Sequence, residues 1–147
     1  MIADGAGHAR LLDQAGAVVR DLGAVATRRA TIVSGVVYLL RPGRLDLRSL
    51  NGTGTRSIPL AGTIGVRSTL AVRGGVAVYT TATAVRAVRL SDGRDALVAT
   101  GPAPGGGTDR GLVGATSDGG GVVYGINDRC GAQHTCRGRV LRDAVPF

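Results

Sequence analysis

The densest group of residues able to hold a metal or form a covalent link lies near the C-terminal end of the chain. Asp128, Cys130, His134 and Cys136 fall within nine residues of one another. Thiolates, imidazoles and carboxylates bind Zn²⁺, but structural zinc sites draw their ligands from two separated knuckles, whereas these four belong to one segment. The two cysteines can instead close a small ring that stabilises a fold by about 2 kcal/mol, or remain free thiols. A disulfide is favoured over both alternatives, and it indicates an oxidising compartment.

Charged residues that could bind a ligand stand in two long polar segments, residues 101–110 and 127–137, which we expect to be loops on one side of the fold. The candidate binding residues are Asp109, Arg110, Asp128, Arg129 and His134. Loops held by a rigid scaffold are a common place for binding sites, although charged loop residues are also ordinary solvated surface. We expect a protein or a small ligand as the partner, and neither a metal nor another cofactor.

Residue types that catalyse reactions are present, but their positions in the sequence match no known catalytic motif. A nucleophile needs a base within hydrogen-bond reach, yet His8 lies near the start of the chain and His134 has no evident partner in the sequence. Neither a Gly-x-Ser-x-Gly elbow nor a phosphate loop of the Walker type occurs. We therefore expect these residues to perform no catalysis.

The large positive net charge of the chain is weak evidence about its binding partners. Of 147 residues, 18 are positive and 10 negative, for a net charge of +8, but every positive residue is Arg and every negative one is Asp. With 25 glycines, that choice is typical of GC-rich coding. The arginines are spread along the chain and only 3% of residues are aromatic, so the charged groove and stacking platforms of a nucleic-acid binder are not expected.

Membrane and export signals are not expected within the chain. No apolar run approaches the roughly 18 residues that a membrane helix needs. The first ten residues contain neither the basic region nor the apolar region of a signal peptide.

A short recurring pattern indicates the elements that would position the loops. Gly followed by a valine-rich run and a Tyr occurs in residues 35–38, 75–79 and 121–124. The three tyrosines lie 41 and then 45 residues apart, so we expect them to occupy equivalent surroundings in a repeating unit. An offset of 40 residues also matches the leucines of residues 45–50 to apolar positions of residues 85–90.

Each unit is predicted to contain four short strands. β-branched residues fill the apolar runs and Gly interrupts them, which favours strands over helices, with both cysteines in a loop. Pro59 has no backbone N–H to donate to a neighbouring strand, so its strand is predicted at the edge of the sheet. Within a single domain spanning residues 1–147, the predicted units are a half blade at 11–22, blades at 29–60 and 68–100, and an incomplete blade at 111–147.

Four antiparallel strands in about 40 residues are the composition of a β-propeller blade. The expected fold is therefore all-β, with about three and a half propeller-type blades forming an incomplete ring. The missing blades would lie upstream in a longer protein, which we favour, or come from a second copy whose half blade completes the last unit head to tail. A third alternative is an arc seated on another protein.

Two segments carry a family resemblance. Residues 32–38, with Gly43, Leu45, Leu47 and the turn at 51–54, resemble the blade repeat of quinoprotein-like propellers. Residues 116–124 are similar to the Ser-Pro-Asp-Gly strand entry of bacterial Tol-type and WD40-like repeats, without the Pro. The blade-docking Trp of quinoproteins and the Gly-His and Trp-Asp pairs of WD40 blades do not occur. The resemblance covers most of residues 11–141 and specifies a fold rather than an activity.

Two functions are consistent with these patterns. The first is a non-catalytic scaffold in an exported bacterial protein, whose place is the periplasm, the cell surface or the medium. The alternative is the non-catalytic portion of a propeller enzyme, a hydrolase or a glycan-acting protein, whose active residues lie outside this chain.

Overall fold

The chain forms four antiparallel β-sheets in a computed structural model. The structure describes residues 2–3, 8–24, 30–51, 54–65, 67–101, 111–130 and 136–147. Fourteen strands and no helix lie within these ranges, so the all-β prediction is confirmed. Each sheet is built from strands that are consecutive in the chain and pair as hairpins.

The sheets are numbered here in chain order, from the first to the fourth. The first sheet contains β1 (Ile2–Ala3), β2 (His8–Leu12) and β3 (Val18–Ala24); the second contains β4 (Ala30–Val33), β5 (Val36–Arg41), β6 (Arg44–Ser49) and β7 (Thr55–Pro59). The third contains β8 (Leu70–Arg73), β9 (Val76–Thr80), β10 (Ala84–Arg89) and β11 (Asp95–Thr100); the fourth contains β12 (Gly111–Ser117), β13 (Gly121–Cys130) and β14 (Cys136–Ala144). As predicted, Pro59 lies in an edge strand, β7.

Tight two-residue turns connect the first two strands of the second sheet and the first two strands of the third sheet in the same way. Ser34 and Gly35 have φ of 49° and 75°, and Gly74 and Gly75 have φ of 58° and 77°. Positive φ at both central residues matches the twist of the flanking strands, which is why Gly is favoured there. The Leu50 N–H donates to the Gly35 carbonyl over 2.9 Å. The same bond recurs forty residues later, from Leu90 to Gly75, over 2.8 Å.

The core consists of three apolar layers between successive sheets. Alternate residues of a strand point to opposite faces, so one strand contributes to two layers. Val37 and Leu39 of β5 pack against the first sheet, whereas Tyr38 and Leu40 face the third. Val78 of β9 belongs to the layer shared with the fourth sheet. The sheets therefore stack face to face in chain order.

The first strands of the last three sheets follow one another in space as well. β4 contacts β8, and β8 in turn contacts β12, which also packs over β9. These contacts give the stack a common inner edge. No closed ring is formed by the residues that the structure describes.

The expectation that the three tyrosines are equivalent is wrong for one of them. Tyr79 and Tyr124 both point toward the preceding sheet, but Tyr38 points toward the following sheet and packs in the same layer as Tyr79. The second and third sheets correspond at an offset of 40 residues, as the turn hydrogen bonds show, whereas Tyr38 and Tyr79 are 41 apart. Because strand side chains alternate, a difference of one residue reverses the face.

The two terminal sheets also differ from the expectation. The N-terminal half blade was predicted as two strands, and β1 adds a short third strand to it. In the fourth sheet the hairpin of β13 and β14 extends to Cys130 and Cys136, so the cysteines end two paired strands rather than lying in a loop. Backbone pairing prolongs these strands although residues 127–130 have no apolar pattern.

Candidate functional site

The predicted binding loops lie mostly outside the described residues. Asp109 and Arg110 fall in residues 102–110 and His134 in residues 131–135, which the structure does not describe. Asp128 and Arg129 belong to β13, where only their backbone is described. The binding role of these five residues therefore stays a prediction.

The cysteines are brought into register by the last hairpin. Cys130 and Cys136 are direct cross-strand partners at the end of β13 and β14. Only their backbone is described, so the disulfide stays a prediction. A disulfide between them would link the two strands next to the segment that connects them.

One partly buried polar cluster, centred on the buried Tyr79, joins the second and third sheets. The Tyr79 hydroxyl donates to Asp95 Oδ2 over 2.5 Å and lies 3.1 Å from the Ala61 carbonyl oxygen. Asp95 also accepts from the Ala61 N–H over 2.7 Å and from Arg86 Nε over 3.0 Å. Burial, reinforced by the Asp95 carboxylate, raises the pKa of Tyr79 far above its usual range. Each polar group of the cluster already has a hydrogen-bond partner within it. The cluster therefore acts structurally, by joining the second sheet to the third.

Tyr124 repeats part of this arrangement in the fourth sheet. Its hydroxyl donates to Asp143 Oδ2 over 2.6 Å. That hydrogen bond, with burial, raises the pKa of Tyr124 to about 12. The carboxylate favours the neutral phenol, because a phenolate beside it would add a second negative charge.

Arginines link neighbouring sheets at their edges. The Arg41 guanidinium donates to the carbonyls of Leu22, over 3.0 Å, and Ala24 in the first sheet. Arg56 of the second sheet donates to the carbonyl of Leu90, over 2.5 Å, at the end of β10. A planar guanidinium can satisfy two carbonyls at once, which suits it to closing exposed strand ends.

The candidate interaction site is an apolar groove of about 340 Å³ lined mostly by the fourth sheet and, at one side, by Thr69 from the segment before β8. Gly114 and Gly125 are cross-strand partners that line it; a Cβ at these positions would lie 3.3 Å from the Thr69 methyl and 3.5 Å from Val113 Cβ, respectively. Val113 and Val140 also line the groove and are 60% and 77% exposed. Val123 lines the same groove. We call the five residues of the fourth sheet the outer valine face.

The outer valine face has the chemistry of a face that is buried elsewhere in this chain. On the third sheet, Val78 and Val85 point in the corresponding direction and are completely buried by the fourth sheet. On the second sheet, Leu40 and Leu45 are completely buried by the third. The fourth sheet thus presents an interface of the same kind with nothing packed on it in the described part of the chain.

A charged pair lies at one rim of this face. Arg142 Nε is 2.6 Å from Asp118 Oδ2. Asp118 also accepts from the N–H groups of Gly120 and Gly121, over 2.9 and 2.8 Å. The Arg142 guanidinium, followed by these backbone donors, holds the pKa of Asp118 well below its usual range. Arg142 therefore lies against the 118–121 turn.

The opposite end of the stack, the first sheet, exposes charged side chains together with apolar ones. On the first sheet, Ala9 and Leu22 pack toward the second sheet, so the alternating residues of the other face point outward. These include His8, whose Nδ1 lies 3.3 Å from Asp21 Oδ2, and Arg10, whose Nε lies 3.9 Å from the same oxygen. The same sheet also exposes Val18 and Val19, at 55% and 62%, so charged and apolar side chains share this end of the stack.

Comparison of the sequence with protein-family models and with curated proteins gives no match. The described residues contain no helix of the length and hydropathy needed to cross a membrane. They also contain no group of three or more His, Cys, Asp or Glu side chains placed to hold a metal.

Sequence reasoning missed the outer valine face. Val113, Gly114, Gly125 and Val140 belong to an ordinary strand pattern, and nothing in that pattern says which of two apolar faces is covered. The paired glycines were the available signal, since Gly within a strand marks a close approach or a hollow.

Proposed function

We propose that this chain is a β-propeller-type segment of an exported bacterial protein and acts as a non-catalytic binding scaffold. The observation that best supports it is the stacking order. Each sheet packs on its neighbour in the chain, and the first strands β4, β8 and β12 contact one another in succession. Sheets arranged in this way about a common inner edge are the architecture of a propeller.

A scaffold role fits the way the polar groups are used. The buried Asp46 and the partly buried Asp95 each bind Arg side chains and a hydroxyl of the same sheet. These interactions rigidify the stack and leave ligand binding to its surfaces, in particular the polar segments 101–110 and 127–137.

The proposal is tested by binding of the chain to peptide and glycan arrays, followed by calorimetry with any probe retained. The comparison variant has residues 103–109 replaced by Gly and Ser, which removes Asp109 and leaves the described strands intact. We expect saturable binding by the natural chain, loss of binding in the variant, and recovery of the probe chemically unchanged.

Three outcomes contradict the proposal. Conversion of a bound probe would show catalysis, equal binding by both proteins would place the site elsewhere, and no binding on either array would remove the ligand-binding role.

A further inference from the structure

We propose that the outer edge of β14 binds an extended acidic segment of a partner protein, which pairs with β14 as a fourth strand of the fourth sheet. The contact is made by the backbone along the edge of the sheet, and not by either of its faces. It gives the scaffold a class of partner, and it rests on the proposed function only in that respect.

The fourth sheet has one strand fewer than the two sheets before it. In the second and third sheets a fourth strand pairs with the third, β7 with β6 and β11 with β10. In the fourth sheet β14 is itself the outer strand, and none of the described residues pairs with its outer edge. Alternate N–H and C=O groups of an outer strand point away from the sheet, so an added strand can continue the ladder there.

β14 is also the longest edge strand in the described part of the chain. It has nine residues, whereas no other strand at the edge of a sheet exceeds seven. The outer strand β7 ends in Pro59, which has no N–H to donate, but β14 contains no proline. Residues 137–140 and 142–144 of β14 are exposed. A long, exposed edge of this kind is a template for pairing with another chain.

The charges of β14 select an acidic segment. Its charged residues are three arginines and one aspartate, namely Arg137, Arg139, Arg142 and Asp143. Asp118 of the same sheet binds Arg142, and Asp143 accepts from a tyrosine hydroxyl. Arg137 and Arg139 are exposed near the start of the strand and point to the same face, because they are two residues apart. Carboxylates opposite them on an added strand would form cross-strand ion pairs.

The same charges disfavour a second copy of the chain as the added strand. Pairing of β14 with another β14 would bring two positively charged strands together. Charged side chains on an edge strand commonly protect it against self-association. An acidic strand is the partner that this protection admits.

Fluorescence anisotropy with a designed peptide tests the proposal. The probe is a labelled nine-residue peptide that, when paired antiparallel along β14, places Glu opposite Arg137 and Arg139, Lys opposite Asp143, and Thr or Val elsewhere. We expect saturable binding to the natural chain, with slower amide hydrogen exchange in residues 136–144. Two further versions of the peptide are N-methylated on one or the other alternate set of residues. Only the version that still donates toward β14 should bind.

Charge exchange at Arg137 tests the contribution of the side chains. Arg137→Glu places like charges opposite each other, and we expect it to weaken binding of the probe about tenfold. A peptide with Lys in place of the facing Glu should restore binding to this variant, which a misfolded protein would not show. Arg20→Glu is the matched control, because Arg20 is an exposed arginine of β3, an edge strand of the first sheet. This control should bind the original probe normally.

Four results would overturn the proposal. They are no binding of the probe by the natural chain, equal binding of both N-methylated peptides, failure of the Lys peptide to restore binding to Arg137→Glu, and a dimer of the chain in which β14 already exchanges slowly without peptide. The variant with residues 103–109 replaced keeps β14 and should bind the probe normally. Loss of probe binding with array binding retained would therefore refute the peptide site alone, and the reverse would refute only the proposed function.

Discussion

Tyr79 shows how this chain joins adjacent sheets although only 3% of its residues are aromatic. Its ring is completely buried between the second and third sheets, and its hydroxyl reaches both Asp95 and the Ala61 carbonyl. Apolar area and a charge-assisted hydrogen bond therefore act at the same contact. Residues of this kind hold the stack together without the docking tryptophan expected from the family resemblance.

We predict that Tyr79→Phe lowers the free energy of unfolding by about 2 kcal/mol, because the partly buried Asp95 carboxylate loses a hydrogen-bond donor. Tyr38→Phe is the control, since Tyr38 packs in the same layer and its hydroxyl makes no hydrogen bond to the described residues. Its cost should stay within about 0.5 kcal/mol. Urea unfolding of both variants measures the difference, and equal costs would show that the Tyr79 hydroxyl is not used.

The tyrosines also predict how stability depends on alkaline pH. The pKa of Tyr124 in the folded protein is about 12, above the usual value of 10, because of Asp143 and burial. A raised folded pKa favours the protonated form, so this contribution is complete below pH 10 and is lost as pH rises from 10 to 12. The pKa values of Tyr38 and Tyr79 are raised in the same direction.

Tyrosinate absorbance as a function of pH measures this effect. We expect the folded protein to ionise its tyrosines above pH 10, and the urea-unfolded protein to do so near the usual pKa. Tyr124→Phe should lose less stability between pH 10 and 12 than the natural chain. Superimposable titrations of the folded and unfolded protein would contradict the burial of these hydroxyls.

Single residues mark the limit of the sequence-based prediction. The pattern of Gly, Val and Tyr placed the strands β5, β9 and β13, but not the direction of every side chain. Tyr38 is shifted by one position relative to Tyr79, and a shift of one position exchanges the two faces of a strand. The neighbouring sheets that pack on a strand decide which layer each of its faces enters, and their residues are distant in sequence: Tyr38 shares its layer with Tyr79, 41 positions later.

At the scale of elements, turn chemistry determines where the strands begin. The turns at residues 34–35 and 74–75 both need positive φ, and Gly supplies it at three of the four positions. Strand order follows, because every neighbour in the four sheets is the next strand in the chain. This explains why local sequence signals were enough to predict most of the hairpins.

We predict that Gly35→Ala and Gly75→Ala each destabilise the protein by about 1 kcal/mol. Added Cβ atoms would meet nothing within 4 Å at either position, so the cost arises from the backbone at φ of 75° and 77°. Gly65→Ala is the control, because its Cβ also meets nothing and its φ is not positive. Urea unfolding compares the three. A large difference between the two turn variants would show that the turns are not equivalent.

The final hairpin is the element that sequence reasoning described least well. The prediction ended its first strand near Ile126, but β13 continues to Cys130 and β14 starts at Cys136. Gly125, Asn127 and Asp128 interrupt the apolar pattern, so periodicity gives no signal there. Backbone hydrogen bonds extend the ladder regardless of side-chain polarity.

We predict that Cys130 and Cys136 form a disulfide, since they are cross-strand partners in this hairpin. Intact mass after alkylation without reductant should show no added label, and two labels should appear after reduction and unfolding. Uptake of two labels without reductant would contradict both the bridge and the proposed export to an oxidising compartment.

At the scale of the whole molecule, the described residues form a stack of four sheets. The inner layers were foreseeable from apolar strands that must be covered on both faces. The groove on the fourth sheet was not, because it is lined by residues of separate strands, such as the cross-strand partners Gly114 and Gly125. Packing order is a property of the assembled sheets and has no local signature.

The central claim is that the sheets fan about a common inner edge, and paired spin labels measure it most directly. One pair is placed on inner strands at Ile32 and Arg73, and the other on outer strands at Thr55 and Leu97, in a chain with Cys130 and Cys136 replaced by Ser. A propeller arc predicts that the outer pair is farther apart than the inner pair by on the order of 10 Å, because the sheets diverge across their width. Equal separations, as in flat sheets packed about 10 Å apart, would contradict the account.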